Sequence, residues 1–324
     1  MEKCFPGLMA GKKIMYVHGF LSSAASGTVK LLRELLPECT VVAADLPIHP
    51  AEALDLLRKM QSEEHPDLII GTSMGGMFTE QLTGCDRIIV NPAFDMAEHM
   101  SSRMGKQEFQ SPRADGVNEI IVTKGLIKEY KEVCAQSLAA AECDDIVYGL
   151  FGDEDPIGQS NFPKFLEKYA DAVWFHGGHR LTDHVALHYL APVIRWVDDR
   201  QAGRERPILY MHYDALHDSY GKAVGSMRKA YEMLIEHFSV YIVADEHPYD
   251  SDWMRDVEQW VSDNLSAPAY GHVIFCRRKG LLYGDYFIDV HASDEFMGTT
   301  IEVGSSDFKT FDEVITYFER LNLE

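Results

Sequence analysis

The segment LIIGTSMGGM, residues 68–77, decides the fold that the sequence predicts. Its apolar start is typical of a buried strand, and apolar residues recur at helical spacing after Ser73. Glycines two positions before and after Ser73 allow a sharp turn, because a side chain at either position would collide with the neighbouring strand or helix. The segment therefore predicts a strand, a turn and a helix, with the Ser73 hydroxyl exposed at the end of the strand.

Strands and helices are predicted to alternate on both sides of this segment. Apolar runs at residues 12–17, 40–44, 87–92, 145–151 and 172–175 are separated by segments with helical spacing. Strands that are apolar almost throughout, alternating with helices, are typical of a parallel sheet covered on both faces. The first half of the chain is therefore predicted to be an α/β domain with a parallel sheet.

The alternation is interrupted at residues 93–143, which predicts an insertion near the site, with a strand at residues 120–122 and a helix over residues 126–141. The insertion is either a helical lid or a packing excursion without a gating role. Residues 201–207 are polar and end in proline, which is typical of a linker. Strands and helices then alternate again. The predicted domains are residues 1–200, with the lid at about 93–143, and residues 206–324.

Composition and charge exclude several classes of partner. The chain has 324 residues and a formal net charge of −21, which argues against binding to nucleic-acid backbones or anionic membranes. No apolar run is long enough to span a bilayer, and no signal peptide is recognisable. Six scattered cysteines favour free thiols in a reducing compartment. We expect a cytoplasmic protein that binds neither nucleic acid nor membranes. Whether it forms a homodimer stays open.

Three candidate catalytic groups follow the carboxyl ends of predicted strands. Ser73 comes first, an acid in the G-D-E-D segment second, and His179 third. This order of serine, acid and histidine is the one expected for α/β-hydrolases. His179 would take the proton of the Ser73 hydroxyl while the carboxylate orients the imidazole. Asp155 is the preferred acid, because its spacing from the glycine is the commoner one, and Asp153 stays open as the alternative.

Two backbone N–H groups are candidates for an oxyanion hole, those of Phe20 and Met74. Met74 follows the predicted nucleophile, and Phe20 follows the H-G pair at the end of the first strand. Acyl transfer needs such donors because negative charge develops on the carbonyl oxygen. His18, in the H-G pair, is expected to shape this loop rather than to transfer protons.

Taken together, the motifs H-G-F-x-S-S, G-T-S-M-G-G, N-P-A, G-D-E-D and G-G-H-R resemble those of the YqiA-like esterases of the α/β-hydrolase superfamily. The resemblance covers roughly residues 12–198. It implies hydrolysis of a small-molecule carboxylic ester through an acyl-enzyme, without a metal or an organic cofactor. Ser73, His179 and Asp155 would then form the catalytic triad.

Residues 206–321 resemble the deoxyribonucleotidase branch of the haloacid-dehalogenase-like phosphatases, chiefly through R-R-K-G-L-L-Y-G-D-Y-F-I-D and F-K-T-F-D-E-V. The resemblance implies a Rossmann-like α/β domain. The family's D-x-D motif attacks phosphorus and binds magnesium, but here His212 replaces its first aspartate and only Asp214 is retained. Asp289 alone remains of an acidic metal-binding pair, and Val257 is expected to replace the family's lysine. Because phosphoryl transfer depends on these charges, an inactive domain without a metal is predicted.

The sequence leads to three hypotheses about function. The leading hypothesis is a carboxylesterase-type serine hydrolase whose triad is Ser73, His179 and Asp155, joined to an inactive phosphatase-like domain. The first alternative is a non-catalytic protein that binds ligands or partners. The second is a magnesium-dependent nucleotidase acting through the C-terminal domain.

Overall fold

The computed structural model divides the chain into two compact units, Met1–Asp198 and Asp199–Glu324. The end of the predicted lid, residues 140–143 with Cys143, lies outside the residues that the structure describes. The described residues are 4–139, 144–267, 273–291 and 293–321.

A parallel sheet of six strands forms the centre of the first unit. The strands of this unit are β1 (Lys13–Val17), β2 (Thr40–Val42), β3 (Leu68–Thr72), β4 (Asp86–Val90), β5 (Gly105–Glu108), β6 (Glu119–Val122), β7 (Val147–Gly152) and β8 (Ala172–Phe175). The sheet has the order β2-β1-β3-β4-β7-β8, and all its neighbouring strands are parallel. The predicted α/β fold is confirmed.

Helices cover this sheet with their apolar faces. On the helix after β3, for example, Met77 and Phe78 are fully buried, and burial of such a side chain contributes roughly 1.5–3 kcal/mol. None of the helices within the described ranges combines the length and the apolar character that a membrane crossing needs. The helices are α1 (Gly27–Leu35), α2 (Pro50–Glu64), α3 (Met74–Glu80), α4 (Met96–Ser101), α5 (Lys124–Cys134), α6 (Pro156–Leu166), α7 (Asp183–Val185) and α8 (Ala191–Gln201), with a π-helical turn at Ala186–Leu190.

The insertion between β4 and β7 contains a β-hairpin as well as helices. Strands β5 and β6 pair in antiparallel fashion, and α4 and α5 flank them. Helix α5 buries Leu126, Tyr130 and Val133, which lie one turn apart on a single face. It ends at Cys134 although helical spacing was expected to continue, because turns follow and Leu138 adopts a left-handed φ of 64°. The lid region is thus less helical than the sequence predicted.

The second unit is built on a parallel sheet of five strands with the order β11-β10-β9-β12-β13. The sequence carries no signal for the last strand of this sheet, because T-T-I-E contains one buried apolar residue, Ile301, and no apolar run. The unit confirms the predicted Rossmann-like α/β class. Its elements are β9 (Ile208–His212), α9 (Tyr213–Leu216), α10 (Met227–Leu234), β10 (Ser239–Ala244), α11 (Trp253–Asn264), β11 (Val273–Phe275), β12 (Tyr286–Asp289), β13 (Thr299–Glu302) and α12 (Phe311–Arg320), with a 3₁₀ turn at Lys279–Leu281.

Candidate active site

Ser73 lies in a strained turn between β3 and α3. Its backbone angles, φ 56° and ψ −121°, are ones that residues with a side chain rarely adopt. The two flanking glycines make the turn feasible. A Cβ atom on Gly71 would overlap the Thr79 hydroxyl, and one on Gly75 would overlap the carbonyl oxygen of Val17. The turn therefore lifts the Ser73 hydroxyl out of the sheet at the carboxyl end of β3, as the sequence predicted.

Two hydrogen bonds connect the three candidate groups of the first unit. The Ser73 Oγ atom lies 2.9 Å from Nε2 of His179, and Nδ1 of His179 lies 2.7 Å from Oδ2 of Asp155. Each residue follows a different strand, β3, β8 or β7, and the carboxyl ends of parallel strands lie at one edge of the sheet. An Nδ1–H donor towards the carboxylate leaves Nε2 free to accept the proton of the serine.

Asp155 is held by the first turn of α6. Its carboxylate is 1% exposed and accepts hydrogen bonds from the N–H groups of Ile157, at 3.1 Å, and Gly158, at 3.0 Å. These two backbone amides hold the carboxylate in place at the start of the helix. The sequence signals this arrangement, since an aspartate followed by proline is typical of an N-cap and the first helical residue.

The alternative acid, Asp153, contacts a different histidine. Its Oδ2 lies 3.1 Å from Nδ1 of His176, and its Oδ1 accepts a 2.9 Å hydrogen bond from the N–H of Gly177. The His176 side chain is 58% exposed. Asp153 therefore stabilises the turn after β8, while the contact with His179 comes from Asp155.

Asn91 is a residue of the site that sequence reasoning did not identify. It is 1% exposed and follows β4 with a left-handed φ of 44°. Its Oδ1 accepts a hydrogen bond from the N–H of Gly152, and its Nδ2 donates to the carbonyl oxygens of Gly178 and His179 at 3.2 Å each. Asn91 thus connects the ends of β7 and β8, which carry the acid and the histidine. The available signal was the N-P-A motif directly after an apolar strand.

The loop after β1 lies against Ser73. A Cβ atom on Gly19 would stand 3.2 Å from the Cβ of Ser73, so the glycine permits this approach. His18 fixes the loop, because its Nδ1–H donates to the carbonyl of Gly19 and its Nε2 accepts from the N–H of Leu46. Burial lowers the pKa of His18, which keeps the ring neutral as this pattern requires. Its position supports the predicted structural role.

A cleft of about 610 Å³ opens above Ser73 and His179. Phe20, one of the two residues predicted to supply oxyanion donors, lines this cleft, and the other, Met74, is a buried residue at the start of α3. The insertion contributes to the walls through Met96 and through residues near its hairpin. The cleft therefore places a substrate-sized space beside the serine, with the insertion over part of it.

His212 ends the central strand of the second unit, at the sheet edge where nucleotide-binding folds place their ligands. It is 2% exposed and lies among carboxylates. The Oδ2 of Asp214 and the Oδ1 of Asp289 lie 3.7 Å and 3.6 Å from its Nδ1, and the Oδ1 of Asp245 lies 3.5 Å from its Nε2. The imidazole thus occupies the space between the remaining acids.

This edge does not suit a magnesium ion. Both oxygens of Asp289 are engaged within the protein, since Oδ2 pairs with Lys279 and Oδ1 accepts from the N–H groups of Val290 and His291. Magnesium prefers several oxygen ligands in an octahedral arrangement, which a central imidazole prevents. The lysine of this edge is Lys279. Val257, which was expected to replace the family's lysine, lies in the apolar core on α11 and does not contribute to this edge.

The parallel sheet, with a sharp strand–turn–helix at Ser73, defines the first unit as an α/β-hydrolase fold. The chain belongs to the uncharacterised protein family UPF0227, whose family model matches residues 13–196. This membership confirms the resemblance predicted for the first half of the chain. Because the family is uncharacterised, it brings no activity with it.

Other similar proteins cover parts of the chain. A protein of Vibrio phage KVP40, provisionally named a 5′(3′)-deoxyribonucleotidase, is 31% identical over 134 residues, which are 39% of this chain and 73% of that protein. The chain therefore also belongs to the family of this phage protein, in agreement with the predicted resemblance to deoxyribonucleotidases. The type II thioesterase BorB of the borrelidin cluster is 15% identical, with a TM-score of 0.40, over 61% of this chain and 94% of its own. An α/β-hydrolase fold protein from Nakamurella multipartita is 12% identical, with a TM-score of 0.37, over 60% and 92%.

Proposed function

We propose that the chain is a serine hydrolase that cleaves carboxylic esters of small molecules through an acyl-enzyme. The observation that carries the proposal is the pair of hydrogen bonds from Ser73 Oγ to His179 and from His179 to Asp155, at 2.9 Å and 2.7 Å. A serine hydroxyl attacks a carbonyl only when a base removes its proton, and this contact supplies the base.

The reaction proceeds in two halves. The Ser73 oxygen attacks the ester carbonyl while His179 Nε2 takes its proton, and the ionised Asp155 stabilises the imidazolium. The N–H groups of Phe20 and Met74 donate to the oxyanion. His179 then protonates the leaving alcohol, and the acyl group stays on Ser73. Water activated by the same imidazole releases the carboxylic acid and restores the serine.

The strain at Ser73 supports this role. A side chain at φ 56° costs of order 1–3 kcal/mol, and a glycine would remove that cost. Strain that is retained at a single serine, beside an imidazole and at the mouth of a cleft, is typical of a nucleophile held in its reactive position.

Hydrolysis of p-nitrophenyl butyrate in the presence of a chelator tests the proposal. We expect turnover without added metal, loss of at least about a thousandfold in kcat for Ser73→Ala, and no change for Ser160→Ala, an exposed serine on α6 whose hydroxyl bonds to Ile157. A fluorophosphonate probe should label Ser73, as located by mass spectrometry. Unchanged turnover in Ser73→Ala would remove the proposal.

We further propose that the second unit no longer transfers phosphoryl groups. The supporting observation is His212 at the end of β9, where it cannot act as a carboxylate nucleophile and where its ring fills the space between Asp214, Asp245 and Asp289. The full chain should release no phosphate from deoxynucleoside monophosphates with magnesium present. Phosphate release that a chelator stops, and that persists in Ser73→Ala, would contradict this proposal.

A further inference from the structure

The charged side chains that line the cleft of the first unit are mainly cationic, whereas the chain as a whole is acidic. The whole sequence has 51 acidic side chains against 30 lysines and arginines. Within the described part of the chain, the ionisable side chains lining the cleft include two arginines, two histidines and a single carboxylate. They are Arg103, Arg180, His99, His179 and Asp183.

Neither Arg103 nor Arg180 has a hydrogen-bond or ion-pair partner for its guanidinium within the described residues. A guanidinium always carries its charge, and its planar donors match a carboxylate or a phosphate. Two such groups at one cleft, neither of them paired with a described residue, are therefore available to an anionic ligand. Three other arginines of the first unit pair instead with carboxylates: Arg58 with Asp55, Arg87 with Asp145 and Arg113 with Asp115.

A buried hydroxyl in the same cleft also lacks a partner among the residues that the structure describes. Ser26 is 6% exposed and lines the cleft, and none of these residues makes a hydrogen bond to its Oγ. It stands at the N-cap of α1, but its side chain does not cap the helix. The first amides of α1, at Gly27 and Thr28, which also line the cleft, are therefore not satisfied by this serine. A helix N-terminus that its N-cap side chain does not cap, with a hydroxyl donor beside it, favours negatively charged oxygen atoms.

The overall charge of −21 does not cancel this local preference. Charges separated by more than about 8 Å are largely screened at physiological ionic strength. A ligand in the cleft is therefore affected most by the groups that line it, and these are mainly cationic or hydrogen-bond donors.

We propose that the substrate carries a negatively charged oxygen group, a carboxylate or a phosphate, in addition to the ester, and that Arg103 and Arg180 bind this group. The inference rests on the ester-hydrolase function proposed above. Arg103 and Arg180 are then residues that determine specificity, and the catalytic steps stay with Ser73, His179 and Asp155.

Matched esters test the proposal. Mono-p-nitrophenyl adipate and p-nitrophenyl hexanoate differ by a charge on the acyl side, and 4-acetoxybenzoate and its methyl ester differ by a charge on the alcohol side. In at least one pair, we expect kcat/KM to be about tenfold higher for the anionic ester. Arg103→Gln and Arg180→Gln should each reduce this preference about threefold, and the double variant should abolish it. High ionic strength should also weaken the preference.

The control variant is Arg58→Gln, an exposed arginine on α2 that pairs with Asp55 and does not line the cleft. It should leave the preference unchanged. No preference for the anionic ester in either pair, or a preference that survives in the double variant, overturns the proposal. Equal hydrolysis of the neutral and charged esters would overturn the anionic-substrate proposal but would leave the proposed ester-hydrolase function intact.

A binding measurement separates this inference from catalysis. In Ser73→Ala, ligand-observed NMR should detect tighter binding of monomethyl adipate than of dimethyl adipate. Adding Arg103→Gln and Arg180→Gln should remove the difference. Equal binding of the two esters overturns the proposal whether or not the protein hydrolyses esters, whereas retained turnover in Ser73→Ala would overturn only the proposed function.

Discussion

Replacing Asp155 by asparagine should separate the role of its charge from its role in the fold. The carboxylate accepts three N–H groups with two oxygens: Oδ1 accepts from Ile157, and Oδ2 accepts from Gly158 and His179. Asparagine has one acceptor oxygen. If that oxygen faces His179, the imidazolium loses its counter-ion. If the amide faces His179 instead, it donates to Nδ1, and Nε2 then carries the hydrogen and cannot accept the serine proton.

Either orientation should lower the turnover number far more than the stability. The comparable substitution in serine proteases lowers kcat about 10⁴-fold. We therefore expect a loss of roughly 10³- to 10⁴-fold, or about 4–5 kcal/mol in activation free energy at 1.36 kcal/mol per decade. The fold loses about one hydrogen bond at the start of α6, which costs roughly 1 kcal/mol.

Asp153→Asn is the matched control, because Asp153 lies two residues away and also contacts a histidine. Because the partner of Asp153, His176, is exposed, the kcat of Asp153→Asn should stay within about threefold of that of the unsubstituted protein. Steady-state kinetics with p-nitrophenyl butyrate and urea unfolding would measure both effects. The assignment of the acid would be refuted if Asp155→Asn kept more than about a tenth of kcat, or if Asp153→Asn lost as much kcat as Asp155→Asn.

Three further substitutions test the elbow and the loop beside it. Ser73→Gly should abolish ester hydrolysis yet raise the free energy of unfolding by about 1 kcal/mol, because glycine adopts these backbone angles without strain; a lower urea midpoint would contradict this. Gly75→Ala should yield no folded protein by circular dichroism, because its Cβ would overlap the carbonyl of Val17, whereas Gly7→Ala, with open space around it, should fold normally. Burial lowers the pKa of His18, so the unfolded chain binds the proton first and stability should fall as the pH drops below about 6.5. His18→Gln should flatten that dependence in urea titrations, and an equal slope in both proteins would argue against it.

Much of the fold could be predicted because its signals are local. The apolar strand at residues 68–72 and the two glycines around Ser73 lie within a few residues of one another, so a short segment is enough to predict the strand and the turn. The insertion was harder, because the polar residues of β5 contribute few apolar contacts and pair only with β6. Strands of this kind are defined by their partners, and a single segment carries little of that information.

The candidate site divides in the same way. Asp155 could be favoured over Asp153 from spacing alone, and the proline after it indicates a helix start. The order of the motifs predicts that Asp155 orients His179, but the geometry of the contact cannot be read from either segment, because it depends on how β7 and β8 pair. Asn91 was missed for the same reason, since its three hydrogen bonds reach residues 61 to 88 positions away along the chain.

The two sheets explain why one edge is proposed to be catalytic and the other inactive. At the first edge, the hydrogen-bond chain from Asp155 ends at the Ser73 hydroxyl, and Ser73 lines the cleft. At the second edge, Asp289 is satisfied by Lys279 and by two backbone amides, so its charge is compensated inside the protein. A carboxylate that is already neutralised has little to offer a phosphate or a metal ion. The carboxyl ends of the strands in a parallel sheet can therefore hold two kinds of polar group. In one, the hydrogen-bond chain ends at a hydroxyl that lines a cleft; in the other, the charge of a carboxylate is satisfied by groups of the protein itself.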